Sequence, residues 1–351
     1  MEADKRRLIL HAGMHKTGST SIQHWLRNTA FEDAHYFKWR QSNHSNLFVL
    51  LFEDNPHEYL GLKRSGLTQE SAEELRVEQR KRMIQQINNN DKSTFVFSAE
   101  RISSAPRSAV QRMNTFFSEY FNDIQVYAYV RRPAGFMTSM FQQHLKTGSV
   151  QLNTKQLWPD YKGRFARLDE IFGQDSVRLR LYDDLQARNT DAVTDFGNWI
   201  GLPPSIDTEV RRNQSMRSSA VALLYLYRKY AAEMLTEKQR KDRDKFVVHN
   251  LWQIEGQPFS FKPVTGDLLK DQKLQDDMGW MANRLNIDIN DLDQDIGARV
   301  VFSCEDDLVR EAIQSSHLMF PQGSTPQLDP DTTGAREEAI RRVAQFSELG
   351  Q

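Results

Sequence analysis

Two rhythms of apolar and polar positions alternate over the first two hundred residues. Short runs rich in β-branched and aromatic side chains at 7–11, 94–98, 124–130 and 177–182, with a weaker one at 35–39, carry strand character. Longer stretches follow most of them at 19–28, 69–88, 108–120, 133–146 and 191–200, with apolar positions three and four apart as on one face of a helix. This alternation predicts a parallel sheet covered by helices. From Ser215 onward only helical patterns remain. Residues 220–234 are apolar on a broad face, 237–245 form a charged helix or loop, and 268–285 and 306–316 are further helices. The Pro, Gly, Asp and Thr of 321–334 read as a loop. The expected organisation is one α/β domain over 1–330, with a core at 7–202 and a helical addition at 215–320. A tail or surface helix follows at 331–351.

Composition removes several function classes. The 351 residues carry 46 Lys and Arg against 47 Asp and Glu, so no bulk positive field points to nucleic acid or an anionic membrane. Any anion site must be local. Cys304 is the single cysteine, which rules out an intrachain disulfide and a multi-cysteine zinc site. Ahead of His11 the only apolar run is Leu8, Ile9 and Leu10, far short of a signal-peptide core or a membrane span. A cytoplasmic protein without a membrane span or nucleic-acid partner is therefore expected, and its oligomeric state is left open.

The most informative segment joins the first strand pattern to the first helix through Gly13-Met-His-Lys-Thr-Gly-Ser-Thr20. Glycines at 13 and 18 permit a tight loop whose N–H groups, with the helix N-terminus, converge on one anion. Ser19, Thr20 and Ser21 add hydroxyl donors. The Gly-x4-Gly spacing is that of a nucleotide triphosphate loop, but Ser19 stands where such a loop carries its lysine. The lysine is displaced to Lys16, nearer the bridging oxygen of a smaller, two-group anhydride.

Lys16-Thr17-Gly18-Ser19-Thr20 after a strand resembles the 5′-phosphosulfate loop of sulfotransferases that use 3′-phosphoadenosine 5′-phosphosulfate (PAPS). A second match follows the strand pattern ending at Val130, where Arg131, Pro133 and Ser139 resemble that family's 3′-phosphate motif in all three spacings. A weaker echo is Tyr182-Asp-Asp-Leu185 followed by a helix ending in Leu202. The resemblance covers about Leu8 to Leu202. It implies a P-loop-type three-layer α/β fold with a central parallel sheet, PAPS as co-substrate held by Lys16, Thr17, Gly18, Ser19, Thr20, Arg131 and Ser139, and no metal. It also implies transfer of a sulfuryl group to a carbohydrate or other small acceptor.

Such a transfer needs a proton acceptor and positive charge at the leaving oxygen. Lys16 supplies the charge. Glu100, at the end of the 94–98 strand, is the expected base, by similarity to carbohydrate sulfotransferases that use a glutamate, with a raised pKa from partial burial. His15 ranks second. His44, Gln143 and His144 are candidate acceptor contacts, and Trp158, Tyr161 and Trp252 are aromatic residues able to stack on a sugar. Two other readings remain. One is a P-loop kinase holding Mg-ATP through Ser19 or Thr20 and the Asp183–Asp184 pair; the other is an inactive nucleotide-binding interaction module.

Overall fold

The computed structural model describes residues 6–153, 155–204, 215–231, 236–261, 270–293 and 300–349. Five parallel strands form the main sheet: β1 (Arg7–His11), β2 (Ala34–Tyr36), β3 (Thr94–Ser98), β4 (Asp123–Val130) and β5 (Val177–Leu181). Their spatial order is β2-β3-β1-β4-β5. A further pair, β6 (Phe259–Phe261) and β7 (Val300–Phe302), is also parallel. The helices are α1 (Ser19–Asn28), α2 (Ser45–Phe52), α3 (Leu60–Lys63), α4 (Gln69–Asn88), α5 (Arg107–Ser118), α6 (Pro133–Thr147), α7 (Tyr161–Phe172) and α8 (Asp184–Ala187). They continue with α9 (Ala192–Ile200), α10 (Ser218–Leu226), α11 (Glu237–Leu251), α12 (Gln272–Leu285), α13 (Ile289–Asp293), α14 (Glu305–Ser315) and α15 (Ala335–Glu348).

The chain divides into two compact units, one comprising residues 1–131, 160–212 and 273–289, the other 132–159, 213–272 and 290–351. The first contains the main sheet. Its central strands β1 and β3 are buried on both faces, as an all-parallel sheet requires. On one face Ile9, Val96, Tyr127 and Tyr129 pack against Ile22, Trp25 and Leu26 of α1 and against Val193, Phe196 and Ile200 of α9. Toward α2 and α5 the filling is aromatic: Phe37, Phe52, Phe95, Phe97, Phe116, Phe117 and Phe121 meet with ring centroids 5.1–6.1 Å apart. Side-chain alternation along β1 and β3 assigns Ile9 and Val96 to one layer and Phe95 and Phe97 to the other.

The second unit is helical around α10, all of whose residues are buried. After α10 the chain makes a π-helical turn at Tyr227–Ala231, where Arg228 donates to the carbonyls of Leu145 (3.1 Å) and Lys146 (3.3 Å) at the end of α6. The sequence reading assigns 133–146 to the sheet core and 335–349 to a tail or surface helix. Helix α6 groups with the helical unit, while α15 buries Ala335, Ala339, Val343 and Phe346. The expected extensions of α10 to residue 234 and of α12 back to residue 268 fall partly outside the described residues.

Helix α7 shows how remote residues complete a local element. Asp160 before it is left-handed (φ 53°) and its side chain caps nothing. The carboxylate of Asp277 on α12 instead accepts the N–H groups of Tyr161 (3.0 Å) and Lys162 (2.7 Å), and Arg284 of the same helix forks onto Asp169 at 2.9 and 3.0 Å. Asp277→Ala would leave two first-turn donors without their acceptor, so it should lower unfolding free energy by about 1–3 kcal/mol in urea titrations. An unchanged midpoint would show that the cap contributes nothing.

Candidate active site

The carboxyl ends of the central strands lie at one edge of the sheet, which is where open α/β folds bind ligands. β1 and β3 pair so that His11 lies opposite Ser98, and β1 and β4 so that His11 lies opposite Tyr127. Three segments leave this edge together: residues 12–18, 99–104 and 131–132.

The loop after β1 is anchored before it turns. The N–H of Ala12 donates to Tyr127 O (2.9 Å), and that of Met14 to Tyr129 O (3.3 Å). The buried Thr17 hydroxyl then donates to Met14 O at 2.7 Å, closing the loop on itself. Lys16 (φ 68°) and Gly18 (φ 75°), on either side of Thr17, both take left-handed backbone, a geometry that turns nearby N–H groups toward a common point. For Gly18 this costs nothing. At Lys16 it stores strain, the kind of cost that concentrates at functional loops. Helix α1 has no side-chain cap and no acid in its own first turn; the Glu100 carboxylate reaches it from outside, accepting the Ser19 hydroxyl.

Gly13 keeps space open inside the loop. A Cβ there would lie 3.1 Å from His11 Nε2, 3.2 Å from Thr17 Oγ1 and 3.5 Å from Ser19 Oγ. His11 is buried, its Nδ1 is 2.7 Å from Ser98 Oγ, and its Nε2 has no protein partner. Burial holds its pKa down at about 4 against the push of Glu100, so the ring is neutral at pH 7.

Two of the expected residues meet directly. His15 Nδ1 lies 3.0 Å from Glu100 Oε2, with the histidine well exposed and the carboxylate largely buried. The expectation of a raised Glu100 pKa is not met. Burial pushes it up, but hydrogen bonds from His15 and Ser19 and the electrostatic attraction of the neighbouring His15 ring outweigh that and hold it below the ordinary value. The carboxylate is therefore ionised and engaged. With Nδ1–H donating to Glu100, His15 Nε2 is the ring nitrogen left to accept a proton. Lys16 is pushed down by partial desolvation, drawn up by Glu100 and pushed down again by Arg131.

Arg131 faces the same loop. Its Nη1 donates to Lys16 O (3.1 Å), its Nε lies 3.5 Å from Asp183 Oδ1, and its guanidinium covers the Tyr182 ring at 5.6 Å. Asp184 is 3.9 Å from Arg188. Asp183 is thus matched to an arginine. Tyr182 also closes over Gly18, where a Cβ would meet Ala192 Cβ at 2.6 Å and the Tyr182 ring at 3.3 Å.

The first unit therefore brings together His15, Lys16, Thr17, Gly18, Ser19, Thr20, Glu100 and Arg131. Ser139, buried, and Gln143 and His144, half-buried, stand on α6 in the second unit. His44 is a correction. It is fully buried, its Nε2 donates to Phe37 O (2.9 Å), its Nδ1 accepts from Ser98 N–H (3.1 Å), and Tyr36 stacks on it at 4.6 Å. Both nitrogens being spent on backbone, it braces β3 and cannot contact an acceptor. Trp158 and Tyr161 are core residues for the same kind of reason, the Tyr161 hydroxyl donating to Arg131 O at 2.6 Å. Only Trp252 of the three aromatics is exposed, with the Lys146 ammonium 3.7 Å from its ring centre.

The residues beside His44 do face a cavity. Its volume is about 370 Å³, and its lining includes His15, Glu100, Asn43, Asn46, Tyr59 and Arg101. Apart from His15 and Glu100, sequence reasoning missed these side chains. The polar run 41–46 was the available signal, but attention to its titratable member selected the one that folds inward.

No family model matches the chain, and no curated protein matches it. Among solved structures, it is similar to a sulfotransferase from Alicyclobacillus acidocaldarius at 12% identity and a TM-score of 0.44, over 83% of this chain and 100% of that one. It is also similar to the sulfotransferase domain from the curacin biosynthetic pathway at 13% identity and a TM-score of 0.34, over 59% of this chain and 77% of that one.

The two buried histidines give the sheet edge a pH dependence. His11 and His44, held at about 4 and about 3 against an ordinary 6.5, take up protons at higher pH in the unfolded chain than in the folded one. Their contribution is therefore complete above pH 6.5 and is lost as pH falls toward their folded values, on the order of 3 kcal/mol for His11 and about 5 kcal/mol for His44. Urea midpoints between pH 7.5 and 4.5 should fall less steeply in His11→Asn than in the parent. Equal slopes would remove His11 from this account.

Proposed function

We propose that the chain is a sulfotransferase that moves a sulfuryl group from PAPS to a hydroxyl, less readily an amine, of a carbohydrate or other small acceptor. The observation that carries this reading is the gathering of the Lys16 loop, the Arg131 guanidinium and the His15–Glu100 pair at one edge of the sheet. The loop fits an anionic donor on its own chemistry. It offers N–H, hydroxyl and ammonium donors around the space that Gly13 leaves open beside the partnerless His11 Nε2.

When bound, PAPS supplies the sulfuryl group, an acceptor oxygen bonding to sulfur as the bridging S–O bond breaks to leave adenosine 3′,5′-bisphosphate. Thr17, Ser19 and the first turn of α1 hold the anion, with Gly18 and Thr20 completing the loop. Lys16 neutralises charge as it grows on the departing phosphate oxygen, and Arg131, with Ser139, is assigned to the 3′-phosphate. The acceptor proton passes to His15 Nε2. Glu100 orients that ring through Nδ1 and stabilises the imidazolium that forms, so it acts through His15 instead of taking the proton itself. Positioning and electrostatics carry the rate, by analogy with loose phosphoryl transfer.

Adenosine 3′,5′-bisphosphate at a hundred times its Kd should stabilise the protein by about 2.7 kcal/mol, read as a rise in Tm, while Mg-ATP should leave Tm unchanged. Stabilisation by Mg-ATP alone would favour a kinase. Lys16→Ala should lower kcat for transfer of labelled sulfate by about 10²–10³ with Tm held. His15→Ala should cost about 10²–10⁴ in kcat, and Glu100→Gln should lower kcat while the bisphosphate Kd stays at the parent value. Parent-like transfer by both of the last two would refute the assigned proton path.

A further inference from the structure

We infer that the cavity beside His15 is an acceptor subsite for an uncharged, polyhydroxylated molecule, a neutral sugar ring, and that it discriminates against carboxylated sugars and phenols. The link to catalysis rests on the sulfuryl-transfer reading; the chemistry of the wall does not.

The volume of about 370 Å³ lies at the small end of ligand pockets, which run from about 300 to 1,000 Å³. None of its nine lining residues, which also include Gln41, Ser45 and Ser104, has an aliphatic side chain. An apolar ligand entering would strip water from amides and hydroxyls without offering them hydrogen bonds, a loss that hydrophobic burial against this wall does not repay.

The wall's one arginine is already committed. Arg101 forks onto Glu53 through Nε (2.6 Å) and Nη2 (2.9 Å) and lies over the Tyr59 ring at 5.4 Å. A carboxylated acceptor would therefore meet a neutralised guanidinium on one side and the Glu100 carboxylate on the other, and like charge excludes it.

What the wall offers is neutral donors and acceptors in fixed places. Asn46 Nδ2 donates to Gln41 Oε1 at 3.1 Å, which leaves the pair three amide N–H bonds and the second carbonyl oxygen, a set that suits neighbouring hydroxyls. Exchanging the amide ends of both residues leaves the same set. Gly61 keeps Asn46 and Tyr59 close together. A Cβ at that glycine would strike Asn46 Oδ1 at 2.5 Å and the Tyr59 ring at 3.2 Å. One hydroxyl of a ring held by these groups can reach His15, the reactive end of the cavity.

Ligand-observed NMR titrations of the full chain with methyl glucoside, methyl galactoside, methyl mannoside, glucuronate and 4-nitrophenol test this directly. At least one neutral glycoside should bind saturably and at least 10-fold more tightly than glucuronate and nitrophenol. Gln41→Ala, on an exposed loop, and Asn46→Ala should each weaken it by roughly 2- to 10-fold, the value of one hydrogen bond. Binding of no neutral glycoside, tighter binding of glucuronate or nitrophenol, or glycoside binding indifferent to both variants would each overturn the inference. Adenosine 3′,5′-bisphosphate thermal shifts on the same samples separate the two claims. Glycoside binding without a bisphosphate shift defeats the donor reading alone, and the reverse pattern defeats the acceptor class alone.

Discussion

The parallel pairing of β1 with β3 places His11 opposite Ser98, and everything at the candidate site depends on that register. The two strands end at one height, so residues two and four positions beyond them, Glu100 and His15, meet at 3.0 Å. Sliding one strand by a single residue would send every side chain to the opposite face. Ile9 and Val96 would exchange places with Leu10 and Phe97, and the His11–Ser98 hydrogen bond would part. The aromatic layer around Phe95 and Phe97 is thus part of the site's geometry although no member of it touches the loop.

Holding polar groups at this edge has a cost that the structure meets locally. His44 is neutral and buried, yet both its nitrogens are satisfied by backbone, so its burial stiffens the end of β3. His11 has one nitrogen satisfied and one open beside the loop. The contrast separates a bracing role from a binding one: a group that the fold has fully satisfied has nothing to offer a ligand, whereas a buried donor or acceptor left open is destabilising unless something completes it. Lys16 belongs with His11, since its left-handed backbone is tolerated where a glycine would be easier.

Much of the sheet unit was legible in the sequence. β1, β3, α1 and α4 match the expected boundaries residue for residue: the strands are short unbroken apolar runs, and Gly18 and Thr68 mark the starts of the two helices. The anion loop was legible for the same reason. Helix α7 was not: Asp160 at its start is a local signal that the fold does not use, its first turn being capped by the remote Asp277. The pair of β6 and β7 was not, because three-residue strands paired across some forty positions leave no local pattern. The same limit applies to function. His15 and Glu100 were each nominated from their own surroundings, but their 3.0 Å pairing is a contact across the sheet edge that no local pattern carries. Arg101, adjacent to Glu100 in the chain, pairs with Glu53 instead, another contact that local sequence does not signal.

The division of the chain has a consequence for biosynthesis. The path passes from one unit to the other after residues 131, 159, 212, 272 and 289, so neither is a contiguous stretch. Helix α7 waits for Asp277, made 116 positions after Tyr161, to cap its first turn. A nascent polypeptide halted before α12 would leave the ribosome with its sheet assembled but one flanking helix unfastened. Such a protein cannot be divided into two expressible halves, and its late-synthesised segment is where a chaperone's attention would be needed longest.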